Sequence, residues 1–309
     1  MSQRSSTVGA ALICLSAALW GLDGVVLTPR LSNLPVPFVV FLLHAVPFAL
    51  MQPLLAGSYH RLRRMPARGW LALALVAATG GLLGTLAIVT ALFLVGFNQL
   101  SVVVLLQKLQ PVFAIVLASV LLKERITLRF AAVAGVALAG AYLLTFGLQA
   151  PATDADGNGL RAALWAVVAA AAFGSATVLG KLLLGSLDFK DATFARYGMT
   201  TVMAAIYLVV AGVGFDFGQV TPTNWIIVLI ISLTTGSGAI FLYYRGLTRV
   251  RASVASICEL CLPLSAVLLD YLVNGSVLGP WQWLGAALLI GAILQITARG
   301  QEAQNTPTG

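Results

Sequence analysis

Two ionisable residues stand where a membrane helix should hold none. Lys108 lies in S-V-V-V-L-L-Q-K-L-Q-P-V-F-A-I-V-L-A-S-V-L-L-K-E-R, and Glu259 lies in S-V-A-S-I-C-E-L-C-L-P-L-S-A-V-L-L-D-Y-L-V-N-G-S. Each charge costs at least about 2.5–3.5 kcal/mol at bilayer depth, so such groups usually face a cavity and act there. An ammonium there holds a carboxylate or another anion, and a carboxylate holds an amine or exchanges a proton. Lys108 is roughly 12 Å from the outer end of its run, and Glu259 is as far from the inner end of its own. In a core of about 30 Å their depths then differ by about 6 Å. Two arrangements are open: a ligand held between them, or a buried salt bridge joining the two segments. Gln107 and Gln110 flank the lysine as neutral hydrogen-bonding groups or as packing residues.

Further residues fit around this pair. Asp270 is eleven residues beyond Glu259, about 20° from the same helix face and roughly 16 Å further outward. Asp23 belongs at a similar height, so the two acids form an outer gate or proton entry, or simply reach headgroup water. His44 either shuttles protons near neutral pH or is hydrogen-bonded within its helix. Trp20, beside Gly21 and Gly24, is the best aromatic for lining a cavity, ahead of Phe93, Phe97, Phe113, Trp165, Tyr243 and Tyr244. Pro111 and Pro263 sit in mid-run, where each removes a backbone hydrogen bond and kinks a helix. Lys181 and Arg196 are expected to snorkel to the cytoplasmic surface. Cys14, Cys258 and Cys261 all fall in apolar runs and read as packing residues. With His44 and His60 the only histidines, neither a metal site nor a cofactor is expected.

The elements that must carry these residues are membrane helices. The chain of 309 residues is 60% hydrophobic and only 9% charged, where a soluble protein has roughly a quarter. Ten apolar runs are long enough to span: 7–27, 37–56, 69–90, 101–122, 127–148, 160–184, 191–213, 222–243, 252–274 and 280–298, the third with room to extend to residue 95. They lack the alternation of barrel strands. The first is too long for a signal peptide and no small-residue cleavage site follows it, so it reads as a retained helix. The net charge of +8 does not point to nucleic acid, because the basic residues sit in short loops. Arg61, Arg63, Arg64 and Arg68, then Lys123, Arg125 and Arg129, then Lys190, then Arg245, Arg249 and Arg251 occupy alternate loops. That bias puts both termini in the cytoplasm, with the chain in the inner membrane.

The runs repeat. Residues 1–150 and 160–299 each hold five spans, joined by a polar loop at 151–159 and followed by a polar tail at 300–309. An odd number of spans turns the second half upside down, as in many secondary transporters. Ser101 lies ten residues before Pro111, and Ser253 ten before Pro263. Leu19-Trp20-Gly21 matches Ala172-Phe173-Gly174, and Gly135 matches Gly285 with a two-residue slip.

L-Q-P-V-F-A-I-V-L-A-S-V-L-L-K-E-R-I at 109–126 resembles the helix-four signature of the EamA family in the drug/metabolite transporter superfamily. Trp20-Gly21 and the closing W-L-G-A-A-L-L-I-G-A at 283–292 fit it as well. One departure is Asn274-Gly275-Ser276, which stands where the first half has Lys123-Glu124. The resemblance implies an all-α integral membrane fold of ten helices, as two inverted five-helix repeats around a central cavity, and export of small metabolites. One cation and one anion in that cavity suit an amino acid or related zwitterion. Alternating access is expected, with Glu259 coupling protons and a monomer as the default. No phosphate loop for a pump and no G-x-S-x-G elbow are present, which leaves a membrane enzyme or a passive channel as the competing classes.

Overall fold

The computed structural model describes residues 3–94, 103, 106–149, 157–274 and 277–299, and among them no strand occurs. We number the membrane helices α1 to α10. α1 is Gln3–Leu22 and continues as one π-helical segment, Asp23–Leu27; α2 is Val36–Leu55. α3 runs over 67–94 and contains a π segment, Ala77–Leu83, so the third span reaches nearly as far as the apolar run allowed. α4 is Gln110–Leu121, α5 Leu128–Phe146, α6 Gly157–Leu183 and α7 Phe189–Val210. α8 covers 222–247 with a π segment at Ser232–Gly236, α9 covers 252–274, and α10 is Pro280–Arg299. Twenty residues of α-helix rise about 30 Å, the thickness of the hydrocarbon core. Among the described residues nine helices reach spanning length, and the fourth span is represented by the shorter α4.

Starts are set by side chains that accept the free amides of the first turn. Thr127 accepts from Phe130 N, and Asp188 accepts from Lys190 N and Asp191 N. Thr221 and Asn224 form a reciprocal capping box at α8. Leu54, Leu128, Val210 and Leu272 project outward with most of their surface uncovered, apolar groups suited to lipid rather than water.

The helix pairs obey a two-fold rule. α1 packs on α8 and on α9; α6 packs on α3 and on α4; α2 packs on α7 and α5 on α10. Adding five to each number, or subtracting it, returns the same set, as two inverted repeats require. Glycines make the closest approaches. A Cβ on Gly21 of α1 would lie 2.9 Å from Leu262 O of α9, and one on Gly174 of α6 would lie 2.6 Å from Gln110 O of α4. Leu262 and Gln110 each immediately precede a repeat proline, so the two contacts are equivalent. In the α5–α10 pair the close glycines are Gly140 and Gly285, whose added Cβ atoms meet Leu289 N and Leu144 N, an antiparallel crossing. Gly135 has open space around it, so its sequence match to Gly285 is not a packing match.

A turn breaks the helix just before each of the two repeat prolines. Lys108-Leu109 and Glu259-Leu260 form turns between helical residues on either side. Leu109 N reaches Leu106 O at 3.1 Å, and Leu260 N reaches Ile257 O at 3.1 Å. Pro111 then sits in the first turn of the helix that follows, where its missing N–H has no partner to lose, and Pro263 is the third residue of its own. Proline also disfavours helical geometry in the residue before it, which places the interruption upstream.

Three polar ties hold the end that carries the basic loops. The Asp191 carboxylate at the start of α7 binds the Arg61 guanidinium, and Ser58 Oγ donates to it at 2.6 Å. That carboxylate holds Arg61 above its ordinary pKa. Glu124, beyond α4, accepts from Ala252 N at 2.7 Å and Ser253 N at 3.1 Å, capping α9. Lys123 reaches that position with φ 54, a left-handed conformation rare for a side-chain-bearing residue. Lys181 does not snorkel: its Nζ donates to Leu247 O at 2.6 Å and Val250 O at 2.7 Å, the unpaired carbonyls at the end of α8.

Gly174→Ala places its methyl against backbone that cannot move alone, and is expected to cost about 1–3 kcal/mol as an overpacked site. Gly135→Ala is expected to be neutral. Thermal unfolding of both variants in detergent checks the contrast.

Candidate functional site

Glu259 lies in the interruption of α9 and is largely buried. Its carboxylate collects donors from three other helices. Thr177 Oγ1 of α6 donates to Oε1 at 2.9 Å, Tyr243 OH of α8 donates to Oε1 at 2.6 Å, and Gln110 Nε2 of α4 donates to Oε2. The Thr177 and Tyr243 hydroxyls lie 3.0 Å apart. Donors of this kind stabilise a carboxylate inside the protein. The interruption itself matters here, because it turns the backbone where Glu259 projects toward α4, α6 and α8.

Aromatic groups border the cluster. The Trp20 ring of α1 lies 5.4 Å from the Tyr243 ring at 48°, and Tyr244 lies 5.9 Å from Tyr243. Arg196 of α7 donates from Nη1 to Tyr244 OH at 3.3 Å, with its guanidinium 5.7 Å from that ring. It is therefore turned into the bundle rather than snorkelling. Gly80, in the π segment of α3, leaves the room for it: a Cβ there would stand 3.0 Å from Arg196 Nη2.

Of the residues singled out by sequence, Glu259, Gln110 and Trp20 converge. Lys108 does not join them. It lies in the turn ahead of α4, one position off the counterpart of Glu259, and among the described residues no carboxylate lies within salt-bridge distance of it. The direct Lys108–Glu259 pair is thus absent, and the neighbour that reaches Glu259 is Gln110, two residues on. Gln107 has no side-chain partner among the described residues. His44 uses Nδ1 on Val40 O at 2.8 Å, one turn back in its own helix, and lies against Tyr197 with ring centroids 5.3 Å apart. Asp23 opens the π segment of α1 and accepts from Thr28 Oγ1 at 3.1 Å. The side chains of Asp270 and Phe93, and all of Phe97, lie outside the described residues. Among the described residues no cluster of His, Cys, Asp or Glu is suited to a metal ion.

Thr177 and Arg196 were not recognised from sequence as parts of this cluster. Thr177 had one usable signal: it is three residues, about one turn, beyond the close-packing Gly174. For Arg196, a charge placed several residues inside an apolar run was the signal.

An inverted pair of five-helix units, with interrupted helices facing each other and a buried carboxylate at one interruption, defines a membrane transporter. The EamA-like transporter family model matches the chain twice, over residues 7–146 and 160–298, and the chain belongs to that family. The riboflavin transporter ImpX of Fusobacterium nucleatum is 49% identical over 94% of this chain and 97% of its own length. An uncharacterized transporter of Bacillus subtilis, YwfM, is 31% identical over 61% of each chain. A protein crystal structure only 17% identical in sequence superposes over 99% of both chains with a TM-score of 0.72, a likeness of fold. The relatives are named as transporters, and this chain is a multi-pass transporter of small metabolites.

Tyr243→Phe removes one donor from a charged acceptor and is expected to cost about 1.5–3 kcal/mol. Combined with Glu259→Gln, its cost is expected to be less than the sum of the two single changes, because they share one interaction. A thermal-unfolding double-mutant cycle measures the coupling, and additivity would remove Tyr243 from the cluster.

Proposed function

We propose that the chain carries riboflavin, or a flavin of the same shape, by alternating access, with the Glu259 cluster as the substrate site. The supporting observation is that an aromatic pair, Trp20 with Tyr243 tilted against it, borders a set of hydrogen-bonding groups that converge from α4, α6, α8 and α9. Riboflavin presents complementary parts: a flat tricyclic ring that stacks, an imide edge that donates and accepts, and a neutral chain of hydroxyls. The likeness to ImpX along nearly the whole chain favours the same substrate.

A neutral solute explains the arrangement better than a zwitterion, because Lys108 and Glu259 do not converge and the carboxylate is dressed by neutral donors. Gln107 and Lys108 then belong to the two-fold-related break ahead of α4, which moves with Pro111 as α9 moves with Pro263. Glu259 exchanges its proton when the substrate displaces the Thr177, Tyr243 and Gln110 donors, and Asp23 with Asp270 forms the outer proton entry. The repeats act as units 1–150 and 160–299 on either side of the 151–159 loop and ahead of the 300–309 tail, in a monomer of the inner membrane with cytoplasmic termini and net export.

The test is riboflavin flux in proteoliposomes, followed by flavin fluorescence, with and without a pH gradient and with flavin loaded on either side. Saturable flux is expected. Glu259→Gln and Trp20→Ala are each expected to lower it about tenfold or more, the loss of one strong contact. Lys108→Ala is expected to retain flux. Movement of an amino acid instead, abolished by Lys108→Ala, would establish the zwitterion reading and overturn this one. Flux linear in concentration would mean a channel, and chemical conversion of the flavin an enzyme.

A further inference from the structure

The chain has three cysteines, and helix packing gathers them: Cys14 lies on α1, and Cys258 and Cys261 lie on α9, which packs against it. α1 and α9 touch at Gly21, where an added Cβ would lie 2.9 Å from Leu262 O and 3.0 Å from Ala266 N. Cys14 is seven residues before Gly21, on the same face of α1 within about 20°. Cys258 and Cys261 precede the Leu262–Ala266 contact on α9, and the two helices run in parallel. The same apolar core contains Cys258, with Cys14 and Cys261 packed against it. Cys258 ends the first half of α9 and Cys261 begins the second. The two thiols therefore bracket the interruption, Glu259-Leu260, and Cys14 faces both sides of it.

A disulfide needs Cα atoms about 4.4–6.8 Å apart, and the close α1–α9 approach at Gly21 favours such a separation on the same face. Cys14 and Cys261 keep part of their surface uncovered while Cys258 is buried, so a small neutral oxidant has two points of attack.

We propose that Cys14, Cys258 and Cys261 form an oxidation site, at which a permeant peroxide converts the α1–α9 contact into a disulfide that pins the interruption of α9. One thiol is oxidised by hydrogen peroxide to a sulfenic acid with release of water. A neighbouring thiol then attacks that sulfur, forming the disulfide and releasing a second water. Peroxide is the oxidant, and two thiols together give up two electrons and two protons. Linkage to Cys258 holds the first half of α9 against α1, and linkage to Cys261 holds the second. In either case the turn that carries Glu259 loses freedom relative to α1.

The test uses the full chain in detergent and needs no knowledge of the substrate. After hydrogen peroxide treatment, peptide mass mapping is expected to find Cys14 linked to Cys258 or Cys261. Hydrogen exchange at the 258–262 amides is expected to slow about tenfold, and a reductant to reverse both changes. Cys14→Ser and Cys14→Ala, either of which serves if the other folds poorly, are expected to abolish both effects. Cys258→Ser and Cys261→Ser singly are expected to keep them through the remaining partner. No Cys14 linkage, or a bond between Cys258 and Cys261 alone, overturns the site; a Cys14 linkage with unchanged exchange overturns the pinning. Failure of riboflavin to move in proteoliposomes would leave these readouts unaffected.

Discussion

A carboxylate inside a membrane has to be paid for locally, and in this chain the whole centre of the bundle is arranged around that need. Glu259 draws its donors from α4, α6 and α8 while standing on α9, so four helices share one polar centre. Remove any donor and the others must hold a partly undressed charge in a low-dielectric setting. The same centre brings an aromatic pair, Trp20 and Tyr243, to its edge, with Arg196 on the neighbouring Tyr244. A solute that enters has to compete with these internal donors, which couples its binding to the positions of all four helices.

The two-fold plan explains why the interruptions fall where they do. α4 and α9 occupy equivalent places and both break just ahead of a proline, so backbone bends are available to both halves. The ends are not equivalent, however. Glu124 caps the start of α9 through Ala252 N and Ser253 N, whereas the second half has Asn274-Gly275-Ser276 in place of Lys123-Glu124. Lys181 adds a tie from α6 to the end of α8 at the same face.

Much of this was legible in the sequence. Apolar runs of about twenty residues announce spanning helices because backbone polar groups in lipid must pair within the segment. The repeat was legible because proline and glycine act through the backbone: Pro111 and Pro263, Gly21 and Gly174 mark equivalent bends and close approaches. Gly135 shows the limit, since its match to Gly285 was one of letters while Gly140 makes the contact. The π segments of α1, α3 and α8 were not legible, because an extra residue in a helix leaves an apolar run apolar. The partners of Glu259 were legible only in part: Gln110 and Tyr243 stood out as candidates, but not their convergence on the carboxylate, and Thr177 did not stand out at all. Which face of α6 or α8 turns toward α9 depends on packing between distant segments, and Thr177 and Tyr243 are common residue types in apolar helices. The separation of Lys108 from Glu259 was hidden for the same reason: similar depth in the bilayer does not decide direction around the axis.

The most direct measurement is equilibrium binding of riboflavin to the purified chain, read by quenching of flavin fluorescence, in wild type and Glu259→Gln. Stacking on Trp20 and Tyr243 beside the carboxylate predicts saturable quenching in the wild type, weakened about tenfold or more by Glu259→Gln. Equal quenching curves in a folded Glu259→Gln protein would contradict the account and reduce the cluster to a structural tie among four helices.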